Sequence, residues 1–104
     1  MERGRMNWRL DVRIEASLDF DRAIEWYADH GSSELAHRFI ADVKLAFDEI
    51  QNSPERFHFS RWGTRRFKLK KFPYDIHYLV EKDRVVVMAV FHQRRDDRQL
   101  GERL

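Results

Sequence analysis

Three cations stand at alternate positions near the middle of the chain. Arg66, Lys68 and Lys70 are separated by Phe67 and Leu69. If this stretch is a strand, the cations leave from one face at intervals of about 6–7 Å. That interval is close to the phosphate spacing along one nucleic-acid strand, so the row can track a polyanionic backbone. The other reading is a solvated edge strand, where lysines discourage pairing with further chains. The row belongs to a wider basic stretch. Arg61, Arg65, Arg66, Lys68, Lys70 and Lys71 fall between positions 61 and 71 without one acidic residue. Asp19, Asp21, Glu25, Asp29, Glu34, Asp42, Asp48, Glu49 and Glu55 lie before them, so the net charge of +2 conceals an uneven distribution. A concentrated basic edge points to an anionic partner, either nucleic acid or an acidic protein segment. Solubility alone also accounts for such charges.

Several other chemistries are excluded. The chain has no cysteine, hence no disulfide and no thiolate metal site. The histidines at 30, 37, 58, 77 and 92 lack zinc-ligand spacing, and no glycine-rich phosphate loop is present. Neither a metal nor a cofactor is expected. No apolar run reaches the roughly 18 residues of a membrane span, and no apolar core of a signal peptide is visible. A cytoplasmic protein without membrane contact is the expectation.

A chain of 104 residues makes one small domain. Residues 65–71 alternate apolar and basic, as a half-buried strand does. Residues 74–81 place Tyr74, Ile76, Tyr78 and Val80 on one face and Asp75, His77 and Leu79 on the other. Residues 84–92 are apolar on both faces, which suggests a central strand. Lys82-Asp83 fits a two-residue hairpin loop. That loop would pair Glu81 with Arg84, Tyr78 with Val87, Ile76 with Ala89, and His77 with Met88. Upstream, residues 8–14 alternate as a strand. Residues 17–30 carry a helical stripe, with Asp19 and Asp21 near its start favouring the helix dipole. Gly31 suits a left-handed position past its end. Ser32 and Ser33 are candidate caps for a second helix reaching residue 51, and Asn52-Ser53-Pro54 stops it.

The order is β-α-α-β-β-β, an α+β fold. A helical hairpin packs on one face of a small, mostly antiparallel sheet, and the first strand lies beside the last. The other face then carries cations and a few exposed apolar groups. The expected core is Leu10, Val12, Phe20, Ile24, Tyr27, Phe39, Val43, Phe47, Ile50, Phe67, Leu69, Ile76, Tyr78, Val87 and Ala89. Residues 1–7 read as a flexible N-terminal tail, with Met6 a possible start. Residues 8–98 read as the domain and 99–104 as a C-terminal tail.

The order of elements carries a resemblance. AIEWYADHGSSELAHRFIADVKLAFDEIQNSPERF followed by RRFKLKKFPYDIHYLVEKDRVVVMAVFHQRRD resembles the RelE/ParE superfamily of bacterial toxins. The likeness covers residues 12–98. Its most specific pieces are Asn52-Ser53-Pro54-Glu55, Phe72-Pro73-Tyr74 and the run from Val90 to Asp96. The resemblance implies the toxin half of a type II toxin–antitoxin pair, of the kind linked to plasmid stabilisation. A cognate antitoxin would wrap it with a helix and an extended segment, forming a hetero-oligomer.

The superfamily divides by target. RelE-like members cut messenger RNA on the ribosome without metal. ParE-like members poison DNA gyrase. Cleavage needs a base, an acid and cations for the charged transition state. Its candidates here are Arg66, Lys68, Lys70, Tyr74, His92 and Arg94, with Arg94 or Lys68 for the charge and His92 or His77 as base or acid. His92 is equally well read as a strand-end histidine bonded to backbone. Binding of target or nucleic acid would fall to Arg65, Arg66, Lys68, Lys70, Arg94 and Arg95. The Phe72-Pro73-Tyr74 and His92-Gln93-Arg94-Arg95 wording is closer to the ParE branch. The segment after Asp96 also lacks the terminal tyrosine of RelE-like nucleases. Gyrase inhibition is therefore the leading expectation. Messenger cleavage, or an inactive relative that only binds antitoxin, is the alternative.

Overall fold

The computed structural model describes residues 8–60 and 62–104. The expected N-terminal tail and Arg61 lie outside the described residues. Strand β1 (Arg9–Val12) leads directly into helix α1 (Ile14–His30). Helix α2 (Ser33–Asn52) follows, then a single 3-10 turn at Pro54–Arg56. Strands β2 (Arg65–Lys68), β3 (Tyr74–Glu81) and β4 (Arg84–His92) complete the sheet, and a short helix α3 (Arg98–Glu102) comes last. The sheet order is β1-β4-β3-β2. The helical hairpin between β1 and β2 rules out a tight turn, so β1 reaches β4 in parallel. The other pairs are antiparallel.

Local chemistry sets the helix ends. Ser32 caps α2 by accepting the Leu35 N–H at 3.0 Å. Gly31 is not left-handed, with φ at −126°. Glycine is needed there because a Cβ would sit 2.6 Å from Leu35 Cδ2 and 2.9 Å from the Tyr27 carbonyl. Helix α1 begins three residues before the expected start, since Ser17 already bonds back to Arg13 O at 3.0 Å. That shortens β1, and Val12, expected in the core, is 40% exposed.

The inner sheet face receives both helices. Phe39, Val43, Ile50, Ile76, Tyr78, Val85, Val87 and Val90 are buried between them. Phe39 is the hub, with ring centroids of Phe20, Tyr27, Phe72 and Tyr74 all 5.2–5.8 Å away. Tyr78 donates to the Pro54 carbonyl at 2.6 Å, which satisfies its buried hydroxyl. Burial pushes its pKa up to about 12.

The hairpin register holds from Glu81–Arg84 to Tyr78–Val87 and then slips. His77 faces Ala89 and Ile76 faces Val90, one residue beyond the expected pairs. The bulge rotates the end of β4. Val90 joins the inner core, while Ala89 and Phe91 turn to the outer face. There they form a second, smaller core with Val86, Met88 and Leu100, flanked by Trp62 and Leu79. The outer face is therefore not an open cationic surface. The segment expected as a C-terminal tail covers part of it, and Leu100 of α3 is fully buried.

Candidate functional site

The expected basic row divides. Arg66 stands opposite His77 and Lys68 opposite Asp75, so both leave from the outer face. Lys70 does not continue the line. Strand β2 ends at Lys68, and buried Asp42 on α2 draws the following turn inward by accepting the Lys71 N–H at 3.1 Å. Lys70 then meets Glu49 of α2 at 2.9 Å. Arg65 is committed to structure. Its Nη1 donates to the carbonyls of Glu55 and Phe57 at 3.0 and 2.8 Å, and its guanidinium lies 4.0 Å from the centre of the Phe59 ring.

The end of β4 brings the remaining candidates together. Gln93 N–H donates to Pro73 O and Arg95 N–H to His92 O, both at 2.9 Å, folding the chain into a turn. Arg94 is exposed on this turn. Its backbone N–H donates to His92 Nδ1 at 3.1 Å, which leaves Nε2 to carry any proton on the neutral ring. The His92 ring packs edge-on against Tyr74, 5.2 Å between centroids. Burial raises the Tyr74 pKa.

Arg95 covers the Phe91 ring at 4.1 Å and bonds Gln99. It also approaches Asp19 at 3.8 Å. Asp19 lies mid-helix with its side chain 1% exposed, not at a helix start. It accepts the Val90 N–H at 3.0 Å and pairs with Arg103 at 2.7 and 3.0 Å. Arg103 also donates to Met88 O at 3.1 Å. The reason is the length mismatch of the strands. β1 stops opposite Val87, and the uncovered edge of β4 is satisfied by these two side chains. Sequence reading missed this pair. The available signal was Asp19 at a core position of the α1 stripe, level with Ala16, Ala23 and Tyr27.

Two clefts flank the His92–Arg95 ridge. One, of about 220 Å³, runs between α1 and the end of β4 past Arg22, Trp26 and Tyr74. The other, of about 210 Å³, opens on the outer face past Arg66, Asp75, His77 and Gln93. Asp75 accepts from Gln93 Nε2 at 3.2 Å, with Arg66 Nε 3.9 Å away. His77 is 4% exposed, its ring 5.6 Å from Phe91, and its Nδ1 has no hydrogen-bond partner. Burial lowers its pKa, and nearby Asp75 opposes that only in part. Arg66, His92 and Arg95 thus share a cleft, whereas Arg65 and Lys70 are held elsewhere.

No described helix is long and apolar enough to cross a membrane. No curated protein matches the chain. A chain of the chromosomal ParDE TA system from P. aeruginosa is similar in structure, with a TM-score of 0.74 at 17% identity, over 82% of this chain and 95% of that one. At that identity the likeness speaks to the fold alone. The family model for the ParE toxin of type II toxin-antitoxin systems, parDE, matches residues 11–97, from β1 to the turn before α3. By that match the chain belongs to the ParE toxin family, the ParE side of the RelE/ParE superfamily.

Proposed function

We propose that this chain is neutralised by a cognate antitoxin and acts by binding DNA gyrase, not by cutting RNA. Family membership supports the pairing. So does a row of exposed side chains on α1. Ile14, Leu18 and Trp26 are 76, 46 and 53% exposed at multiples of four residues. They form a row broken by Arg22 between Leu18 and Trp26, of the kind an amphipathic helix with an acidic group covers.

The observation that carries the choice of target is the state of the proton-moving groups. Cleavage needs both a base and an acid. His92 has one ring nitrogen occupied by the Arg94 amide. Tyr74 is held neutral more firmly than a free phenol. His77 is buried. The exposed cations Arg66, Lys68 and Arg94 then serve association with an anionic surface. Messenger cleavage is kept as the second reading because Arg66, His92 and Arg95 do line one cleft.

Purified toxin in a gyrase supercoiling assay, beside programmed ribosomes read by primer extension, decides between them. Loss of supercoiling without messenger cuts is expected. For a binding role, Arg94→Ala weakens inhibition by about tenfold, the order of one charge-assisted contact. Messenger cuts that vanish in Arg94→Ala would overturn the gyrase reading. Failure to co-purify with an antitoxin encoded beside the toxin would count against the pairing.

A further inference from the structure

We propose that the outer-face cleft is a site for a guanine base. At about 210 Å³ the cleft is smaller than the roughly 300–1,000 Å³ of pockets that take a drug-sized molecule. It suits one ring system, with the rest of a nucleotide outside.

Its deep groups are Asp75, with a side chain 8% exposed, and His77, 4% exposed. Asp75 Oδ1 is engaged by Gln93. Oδ2 has Arg66 Nε at 3.9 Å, beyond hydrogen-bond range. His77 Nδ1 is buried without a partner. A buried ring nitrogen without a hydrogen bond is costly, and here it lines the same cavity as the Asp75 carboxylate. The rim carries both signs, with Asp96, paired to Arg98, and Asp97 beside two arginines. Arg66 and Arg95 are 44 and 34% exposed at the side chain, and Lys68 stands opposite Asp75 in the ladder.

The complement of this arrangement has adjacent N–H donors inside and an anion outside. Among the bases, guanine alone carries two neighbouring donors, N1–H and the 2-amino group, on its Watson–Crick edge. A carboxylate accepts both. Adenine would set its N1 lone pair against Asp75, and uracil offers a single N–H between two carbonyls. Arg66 is placed at the rim to meet the phosphate. The same chemistry reaches the cleft from a free guanine nucleotide or from a guanine turned out of a single strand.

The test is a calorimetric titration of the full-chain toxin with GMP, AMP and guanosine. Short single strands carrying one guanine or one adenine form a further arm. GMP is expected to bind about ten- to a hundredfold tighter than AMP, the discrimination of one bidentate pair. Asp75→Asn, shown folded by circular dichroism, abolishes that preference. The exposed Arg66→Ala variant, which leaves the buried pair in place, weakens GMP more than guanosine. Tighter binding of the guanine strand than of GMP assigns the ligand to nucleic acid, and equal binding assigns it to free nucleotide. Equal affinity for GMP and AMP, or no GMP binding at millimolar concentration by the folded native chain, overturns the proposal. The supercoiling assay is a separate readout, so failure here leaves the gyrase reading intact.

Discussion

The two faces of the sheet are closed by different forces. The inner face is covered by two helices of 17 and 20 residues, and its centre is a cluster of aromatic rings around Phe39. The outer face is covered in part by a helix of five residues. Only Leu100 of that helix is buried apolar surface. Gly101 lies close against the Trp62 ring, and the rest of the attachment is charged, with Arg103 on Asp19 and the guanidiniums of Arg95 and Arg103 near the Phe91 ring. Apolar burial responds little to pH or salt, whereas an ion pair beside a neutral buried histidine responds to both. The inner core should therefore set global stability, and the outer closure should open locally.

Substitutions that strike one face and spare the other test this division. Phe39→Ala should cost about 3–5 kcal/mol in urea melts, the usual range for a buried phenylalanine. A loss below about 1 kcal/mol would place the centre of the inner core elsewhere. Arg103→Ala should cost less, about 2–3 kcal/mol, because Arg95 and the Val90 amide still face Asp19. Its distinguishing mark is hydrogen exchange. Amides at the C-terminal end should lose protection while those of α1 and α2 keep it. Equal loss throughout would mean that the two closures are one cooperative unit.

The faces should also part company in pH. The folded pKa of Tyr78 is about 12 against 10.0 for a free phenol. The unfolded chain ionises first, so stability is full below pH 10.0 and falls as pH rises towards 12. His77 has the opposite slope. Its folded pKa lies below 6.5, so the unfolded chain takes up the proton first. Stability is full above 6.5 and is lost as pH falls through the folded value. Tyr78→Phe should flatten the alkaline limb of the melting temperature, and His77→Gln the limb between neutral and mildly acidic pH. An acidic limb unchanged in His77→Gln would shift responsibility to the carboxylates. The smallest effect belongs to the hairpin between the faces. Lys82 has φ at 41°, and Lys82→Asn should stabilise by a few tenths of a kcal/mol, since asparagine tolerates that region better.

What the sequence disclosed follows the same division. Strands β3 and β4 were legible to the residue, because Pro73 and the Lys82-Asp83 loop bound them. The stripe of α2 was equally clear. The bulge left no trace, because β4 is apolar on both faces and a one-residue slip still buries every side chain. Ser17 resembles a helix cap, yet α1 starts earlier behind Arg13 with no side-chain cap at all. At the candidate site, Arg66 and Lys68 followed from strand alternation. The loss of Lys70 to Glu49 depended on Asp42, 29 residues before the turn that it holds. The Asp19–Arg103 pair spans 84 positions and no local pattern encodes it.

That separation bears on how the molecule comes to exist. Among the described residues β1 pairs with β4 alone, with Arg9 opposite Arg84. Throughout most of its synthesis the N-terminal strand has nothing to pair with, and the α1–α2 hairpin has no complete sheet to cover. The fold closes late, when distant segments meet, and such non-local closure is slow. A nascent toxin therefore stays without its finished outer face until the segment carrying Arg103 has left the ribosome.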